Sequence, residues 1–81
     1  MRIEWTKSAT KDLRKIPAID KVRILVAVER LAGWPVDGDI KAMKGKPAGR
    51  HRLRVGEYRV IFEVKDNVLI IRVASRGSVY E

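Results

Sequence analysis

The sequence predicts an α+β fold made of a short N-terminal strand, a two-helix hairpin and a three-stranded antiparallel sheet, with helices on one sheet face and the other face open. Three observations support this prediction. Basic and apolar side chains alternate along much of residues 50–80, which is the period of β-strands. Apolar side chains recur at helical spacing between residues 9 and 32, with a break at Pro17. The 81 residues have room for one domain, residues 1–81, with one modest core.

The first strand and the first helix are predicted at the N-terminus. Ile3 and Trp5 alternate with charged neighbours, which indicates a short strand that joins the C-terminal sheet. Thr6 or Ser8 can cap the helix that follows, because either hydroxyl can accept a hydrogen bond from a free backbone N–H of the first turn. We expect this helix to end at Pro17, since proline cannot continue it.

The second helix is predicted to have Asp20 as its N-cap and to run through Ala32, where Gly33 closes it. One apolar stripe is enough to bury this helix against the sheet, and it consists of Ile24, Val28 and Leu31. Three apolar residues exceed that stripe: Val22, Leu25 and Val26. Core packing is the favoured interpretation of this surplus, and a surface for a partner is the alternative.

A predicted loop covers residues 34–49, because glycine and proline recur there and leave room for at most one turn at residues 40–43. Three lysines lie in this loop, at Lys41, Lys44 and Lys46. The loop leads into the strand that begins at Arg50.

The hairpin across Gly56-Glu57 sets the register of the sheet. Glycine at the first central position suits a two-residue type II′ turn, which pairs Val55 with Tyr58 and Arg54 with Arg59. The predicted apolar face is then Leu53, Val55, Tyr58, Val60, Phe62 and Val64, with His51 at its margin as a packing residue. The predicted cationic face carries Arg50, Arg52, Arg54 and Arg59, with Glu63 paired to Arg50.

A second tight turn is predicted at Asp66-Asn67, with Lys65 paired to Val68. This register places Leu69, Ile71 and Val73 on the apolar face, and it places Arg72 on the cationic face, with Arg76 beside it if the strand runs that far. A three-residue turn would reverse both sets, because a shift by one residue flips every side chain. The two-residue turn is preferred because it keeps arginines out of the core.

The charge of the chain indicates an anionic partner. Eighteen lysines and arginines against ten acidic residues give a net charge of +8, which favours nucleic acid, an anionic membrane surface or an acidic protein. Arg54 directly opposite Arg59 is a like-charge pair that costs stability unless an anion lies between them, so the face suits a polyanion. The absence of cysteine excludes a disulfide framework and a thiol nucleophile, and no zinc-ligand pattern occurs. No signal peptide or membrane-spanning segment is evident, so we expect a cytoplasmic protein without a membrane partner.

Several segments together resemble the RelE/ParE toxins, which are the toxin halves of type II toxin–antitoxin modules. They are MKG at 43–45, RHRLRVGEYRVIFEV at 50–64, LIIRV at 69–73, and the ending with Arg76 and Val79-Tyr80. The resemblance covers essentially the whole chain and is strongest to the RelE branch. It implies a ribosome-dependent endoribonuclease that cuts mRNA in the ribosomal A site by attack of the 2′-hydroxyl on the scissile phosphate. The implied partners are a cognate antitoxin protein, the ribosome with its rRNA, and mRNA, and no metal ion or cofactor is required.

The resemblance also implies roles for individual residues. The implied catalytic residues are Arg52, Arg59, Arg76 and Tyr80, and the implied RNA-binding residues are Arg50, Arg54, Arg72, Lys44 and Lys46. RelE toxins often carry lysines where this chain has Arg50 and Arg52, and a guanidinium does not act as a general base. The spacing from Arg76 to Tyr80 is shorter than in RelE. Two alternatives therefore stay open: a ParE-like protein that inhibits DNA gyrase by binding, and an inactive nucleic-acid-binding relic.

Overall fold

The structure is a computed structural model that describes residues 1–45 and 48–75. The predictions for Lys46, Arg76 and Tyr80 lie outside the described residues. The elements in chain order are β1 (Ile3–Trp5), α1 (Lys7–Arg14), α2 (Ala18–Glu29), a short 3₁₀ helix (Arg30–Gly33), β2 (Ile40–Ala42), β3 (Arg50–Val55), β4 (Tyr58–Val64) and β5 (Val68–Ser75). None of the described helices is long and apolar enough to cross a membrane.

The strands form one five-stranded sheet in the order β1-β5-β4-β3-β2. All neighbours are antiparallel except β1 and β5, which run parallel. The predicted α+β class is confirmed, and β1 joins the sheet as expected. The sheet is wider than the three predicted antiparallel strands because β2 also pairs with β3.

The core lies between the helices and one face of the sheet. Its helical side chains are Ala9, Ile16, Ile24, Val28 and Leu31, and its sheet side chains are Leu53, Val60, Phe62, Val68, Ile70 and Val73. The predicted stripe of α2 is therefore confirmed. Trp34 contacts both His51 and Phe62 edge to face, with ring centroids 4.8 and 5.5 Å apart. His51 is the packing residue that the sequence predicted.

The first hairpin has the predicted register. Val55 pairs with Tyr58 and Arg54 pairs with Arg59. Gly56 has a φ of 58°, while no residue other than glycine has a positive φ in the described chain. A type I′ turn needs positive φ at both central residues, so the type II′ prediction fits and type I′ is excluded.

The second turn was wrongly predicted. Val64 rather than Lys65 pairs with Val68, so the loop has three residues. The dipeptide Asp66-Asn67 lacks the glycine that favours a two-residue hairpin turn, and neither residue adopts a positive φ.

A β-bulge in β5 corrects the register that this longer loop would otherwise reverse. Phe62 pairs with Ile70, whereas Ile61 pairs with Arg72, so Ile71 is the extra residue. Val68 and Ile70 consequently lie in the core, instead of the predicted Leu69 and Ile71, which are half-buried. After the bulge Val73 returns to the core, as predicted. No arginine of β5 enters the core, although the turn differs from the predicted one.

The helices differ from the predictions mainly in α2. Thr6 caps α1 as expected, since its hydroxyl accepts a hydrogen bond of 3.0 Å from the Ala9 N–H. The predicted N-cap of α2, Asp20, is wrong: Pro17 is the N-cap residue, and α2 begins at Ala18. Asp20 instead lies in the first turn, where its charge favours the helix dipole.

The surplus apolar residues of α2 are exposed, so core packing was the wrong interpretation. Ile19, Val22 and Val26 are 75%, 60% and 57% exposed, and Leu25 is 38% exposed. Their spacing places them on one side of the helix, which turns away from the core stripe. We call these four residues the α2 stripe.

Candidate nucleic-acid interface

The face of the sheet opposite the helices is built from three rows of cross-strand neighbours. Directly paired residues project from the same face, so the register defines each row. The first row is Arg54, Arg59 and Ala74, the second is Lys41, Arg52, Ile61 and Arg72, and the third is Arg50, Glu63, Leu69 and Glu4. Ile61 and Ala74 are buried but lie outside the main core. The predicted cationic face is thus present, with an apolar centre.

Four cations occupy the β2, β3 and β4 side of this face, and we call them the four-cation cluster: Lys41, Arg52, Arg54 and Arg59. Lys41 lies opposite Arg52, and Arg54 lies opposite Arg59, so two like-charge pairs sit in adjacent rows. Neighbouring strands are about 4.8 Å apart, which keeps these charges close together. Arg54 and Arg59 also border an open depression of about 350 Å³ beside the hairpin turn.

The cluster is only weakly neutralised by the protein itself. Arg54 Nη1 lies 4.0 Å from Asp39 Oδ2, and both side chains are more than half exposed, so this ion pair contributes little. Within residues 1–45 and 48–75, no hydrogen-bond or ion-pair partner is found for the side chains of Lys41, Arg52 and Arg59. Their positive charge is available to a ligand.

Arg50 is held by a carboxylate of the same face. Its Nη2 donates a hydrogen bond of 3.1 Å to Glu63 Oε2, as the predicted pairing required. Lys65 Nζ lies 3.7 Å from the other oxygen of Glu63. The Nε atom of Arg50 is buried and finds no partner in the described part of the chain. Arg50 therefore faces the open side with one of its donors already used.

Arg72 is bound to helix α1. Its Nε and Nη2 donate hydrogen bonds of 2.8 and 3.1 Å to the two oxygens of Asp12, and the backbone N–H of Val73 donates one of 2.9 Å. Strand β1 pairs with β5 only from Val68 to Ile70. Beyond the end of β1, Asp12 accepts the hydrogen bond of the Val73 N–H in place of a neighbouring strand. The expected RNA-binding role of Arg72 would have to compete with this ion pair.

The environment of Asp12 lowers the pKa of its carboxyl group below the ordinary value of 3.8. Burial alone would raise this pKa. The hydrogen bonds from Arg72 and Val73, together with the positive charges of Arg72 and Lys15, outweigh that effect. Asp12 is consequently ionised at neutral pH and anchors α1 to β5.

The charge on this face is unevenly distributed. The row that contains Glu63 also contains Glu4 of β1, which pairs with Leu69. Glu4 lies at the β1 edge of the face, and Glu63 lies on the central strand β4, where Arg50 and Lys65 balance its charge. The four-cation cluster lies toward β2 and the Gly56 turn, so the uncompensated positive charge is concentrated there.

Lys41 was missed as a site residue because its segment was predicted as a loop. The alternation of Ile40, Lys41 and Ala42 is only three residues long, which is too short to distinguish a strand from a loop. In the structure Ile40 packs against the core, and Lys41 points to the opposite face. Lys44, which was predicted, is exposed in the turn after β2.

Aromatic side chains are confined to the other face in the part of the chain that the structure describes. Trp5, Trp34 and Tyr58 pack against the core, and Phe62 lies within it. The Tyr58 hydroxyl donates a hydrogen bond of 3.4 Å to Asp20, and burial and the Asp20 charge raise the pKa of Tyr58 above 10.0. The described residues also contain no cluster of three or more His, Cys, Asp or Glu side chains that could hold a metal ion.

Comparison with known proteins gives consistent results. A family model described as the ParE toxin of type II toxin-antitoxin system, parDE, matches residues 3–80. Toxin RelE3 of Methanocaldococcus jannaschii is 33% identical over 85 residues, which cover 100% of this chain and 97% of that relative.

Solved structures share the fold. The RelB-RelE antitoxin-toxin complex from Methanococcus jannaschii matches 89% of this chain and 88% of that chain, with 29% identity and a TM-score of 0.77. The archaeal RelE-RelB complex from Pyrococcus horikoshii OT3 matches 96% and 97%, with 27% identity and a TM-score of 0.81. The isolated E. coli RelE toxin, at 17% identity, matches 96% and 86% with a TM-score of 0.80, a likeness of fold alone.

The two helices and the sheet of this chain thus have the fold of the RelE/ParE class of toxins, as the sequence indicated. The chain belongs to the family of ParE toxins of type II toxin–antitoxin systems, and it is a RelE-like toxin of such a module.

Proposed function

We propose that this toxin is an endoribonuclease that cleaves mRNA in the ribosomal A site. The observation that supports this function is the four-cation cluster, in which Arg52 and Arg59 project from an open face without a partner among the described residues. Arg50 and Arg72 are held by carboxylates, so Arg52 and Arg59 are the arginines best able to bind a phosphate group.

The chemistry would need little from the protein beyond positive charge. The 2′-hydroxyl oxygen of RNA attacks the adjacent phosphorus, the bond from phosphorus to the 5′-oxygen breaks, and a 2′,3′-cyclic phosphate and a 5′-hydroxyl result. The transition state gathers negative charge on the phosphate oxygens. Each fixed donor aimed at such charge is worth about 3–4 kcal/mol. We assign this role to Arg59 and Arg52, together with Arg76.

A proton must leave the 2′-hydroxyl and another must reach the 5′-oxygen. The arginines cannot accept a proton, because a guanidinium stays charged in proteins. We assign the proton transfer to Tyr80. If the ribosome assists the transfer instead, the ring of Tyr80 would stack on a base. Weak acid–base groups imply a poor enzyme on free RNA, so positioning of the message by the ribosome would supply the missing rate.

Cell-free translation tests this proposal. Messages translated with and without the toxin are mapped by primer extension, and we expect cuts at A-site positions. Arg59→Ala should reduce cleavage about 10²–10³-fold, the effect of removing one charge-stabilising donor. Arg14→Ala is the matched control, because Arg14 is exposed on α1, away from the sheet face, and its loss should leave cleavage unchanged.

The ParE family match supports a second candidate, inhibition of DNA gyrase by binding. An intact message together with blocked gyrase supercoiling in a parallel assay would favour this candidate. An intact message and active gyrase would leave an inactive nucleic-acid-binding relic.

The partner that we propose is a cognate antitoxin, in line with the RelB-RelE complexes among the similar structures. An acidic segment would cover the four-cation cluster, and an apolar segment would cover the α2 stripe. We also propose the cytoplasm as the site of action, since mRNA and ribosomes are there.

A further inference from the structure

Strand β2 brings Lys41 to the open face of the sheet, although the sequence had predicted a loop at this residue. Lys41 is exposed, and its Cα lies opposite Arg52 at the outer edge of the sheet. Ile40 before it pairs with the buried Leu53, so the alternation of a strand directs Lys41 to the face that carries the arginines. The placement is set by the backbone ladder rather than by a flexible loop.

The pairing of Lys41 with Arg52 is unfavourable for the isolated protein. Like charges directly opposite each other destabilise a sheet, and the next row repeats the conflict with Arg54 and Arg59. No acidic side chain within the described residues pairs with Lys41 or Arg52. Residues that lower the stability of a protein are expected at sites where its function requires them.

The side chains around Lys41 also limit which ligand this face can bind. The described part of this face carries no aromatic ring on which a base could stack, since those side chains pack on the core side. Lysine and arginine side chains bind phosphate oxygens, and such contacts position a nucleic acid without reading its sequence. Extended single-stranded backbone suits such an open row of charges.

We propose that Lys41 is a phosphate-binding residue that extends the RNA track of the four-cation cluster from Arg52 to the outer edge of the sheet. This inference rests on the proposed function, which makes RNA the polyanion, and it adds a contact one strand beyond the predicted arginines. It predicts that the described face binds the RNA backbone independently of sequence.

The test is binding of a single-stranded oligouridylate to the full chain, measured over a range of salt concentrations. Each phosphate contact contributes about 0.7 to the slope of log affinity against log salt for single strands. Lys41→Gln should bind more weakly and lower this slope by about 0.7, whereas Lys41→Arg should behave as the parent protein. Lys11→Gln removes the same charge from exposed α1 and should leave the slope unchanged.

Thermal unfolding at low salt separates this effect from loss of folding. Lys41→Gln should be at least as stable as the parent protein, because it relieves a like-charge pair. If Lys41→Gln and Lys11→Gln give the same slope, or if the parent protein does not bind the oligonucleotide, the inference is wrong. If Lys41→Gln binds more weakly while ribosomes with the parent toxin yield intact message, the inference stands and the proposed cleavage is wrong.

Discussion

Glu63 determines how much of the Arg50 guanidinium is available to a ligand. The carboxylate lies on the same face as the arginines and accepts a hydrogen bond from Arg50 Nη2 at 3.1 Å. A phosphate that approaches Arg50 must displace this carboxylate or share the guanidinium with it. Glu63 thus limits the number of arginines that can bind a polyanion at once.

Glu63→Gln should strengthen binding of single-stranded RNA, because it frees Arg50 and Lys65 and removes a negative charge from the face. We expect the salt dependence to become steeper by about 0.7 for each phosphate newly bound. The same change should lower the free energy of unfolding by about 1–3 kcal/mol, since a half-buried guanidinium loses its charged partner. Salt titrations and urea unfolding measure the two effects. The control Glu29→Gln changes the same charge on exposed α2, and equal gains in both variants would contradict the prediction.

Asp12 joins two elements, α1 and β5. It accepts hydrogen bonds from the guanidinium of Arg72 and from the backbone of Val73, just beyond the bulge. Arg76, a proposed catalytic residue, follows this strand in the sequence, so the anchor holds the part of the sheet that precedes it.

Asp12→Asn should destabilise the protein by about 1–3 kcal/mol at pH 7, because the charge-assisted bonds are lost. The folded state lowers the pKa of Asp12, so its contribution is fully present above the ordinary value of 3.8 and is lost as the pH falls through the lower folded value. Urea unfolding at pH 7 and below pH 3.8 should show the difference between parent and variant shrinking. A constant difference at both pH values would show that the carboxylate charge is not the cause. Asp66→Asn, in the exposed β4–β5 turn, serves as the control.

The strands differ in how well the sequence predicts their register. The register of β3 and β4 was predictable because Gly56 fixes the turn and the alternation on both sides agrees with it. The bulge at Ile71 was not predictable, since a continuous apolar segment from Val68 to Ile71 fits either register. Strand β2 was missed because three residues carry too little periodicity, and with it Lys41 was missed. The arginine face was therefore predictable, whereas its edge at β2 was not.

The whole molecule has a net charge of +8 and presents two surfaces to a partner, the four-cation cluster and the α2 stripe. The cluster lies on the open face of the sheet, and the α2 stripe lies on a helix that packs against the opposite face. An antitoxin that neutralises both would have to extend around the molecule.

Val22→Ser combined with Val26→Ser should weaken binding of the cognate antitoxin about a hundredfold. Burying each valine contributes about 1.5 kcal/mol, and the pair contributes about 3 kcal/mol. Both side chains are exposed in the free toxin, so its urea midpoint should not fall. Isothermal titration with the antitoxin measures the change. Unchanged affinity would mean that the antitoxin does not cover the α2 stripe.

The uneven charge of the sheet face has a consequence for the encounter with any polyanion. Arg50 and Lys65 balance the charge of Glu63, whereas the four-cation cluster toward β2 is only weakly neutralised. A polyanion is therefore drawn to the β2 side first, and fields of this kind act over about 8 Å in physiological salt. The ion pairs within the protein, rather than the number of its arginines, thus decide where an anionic partner first makes contact.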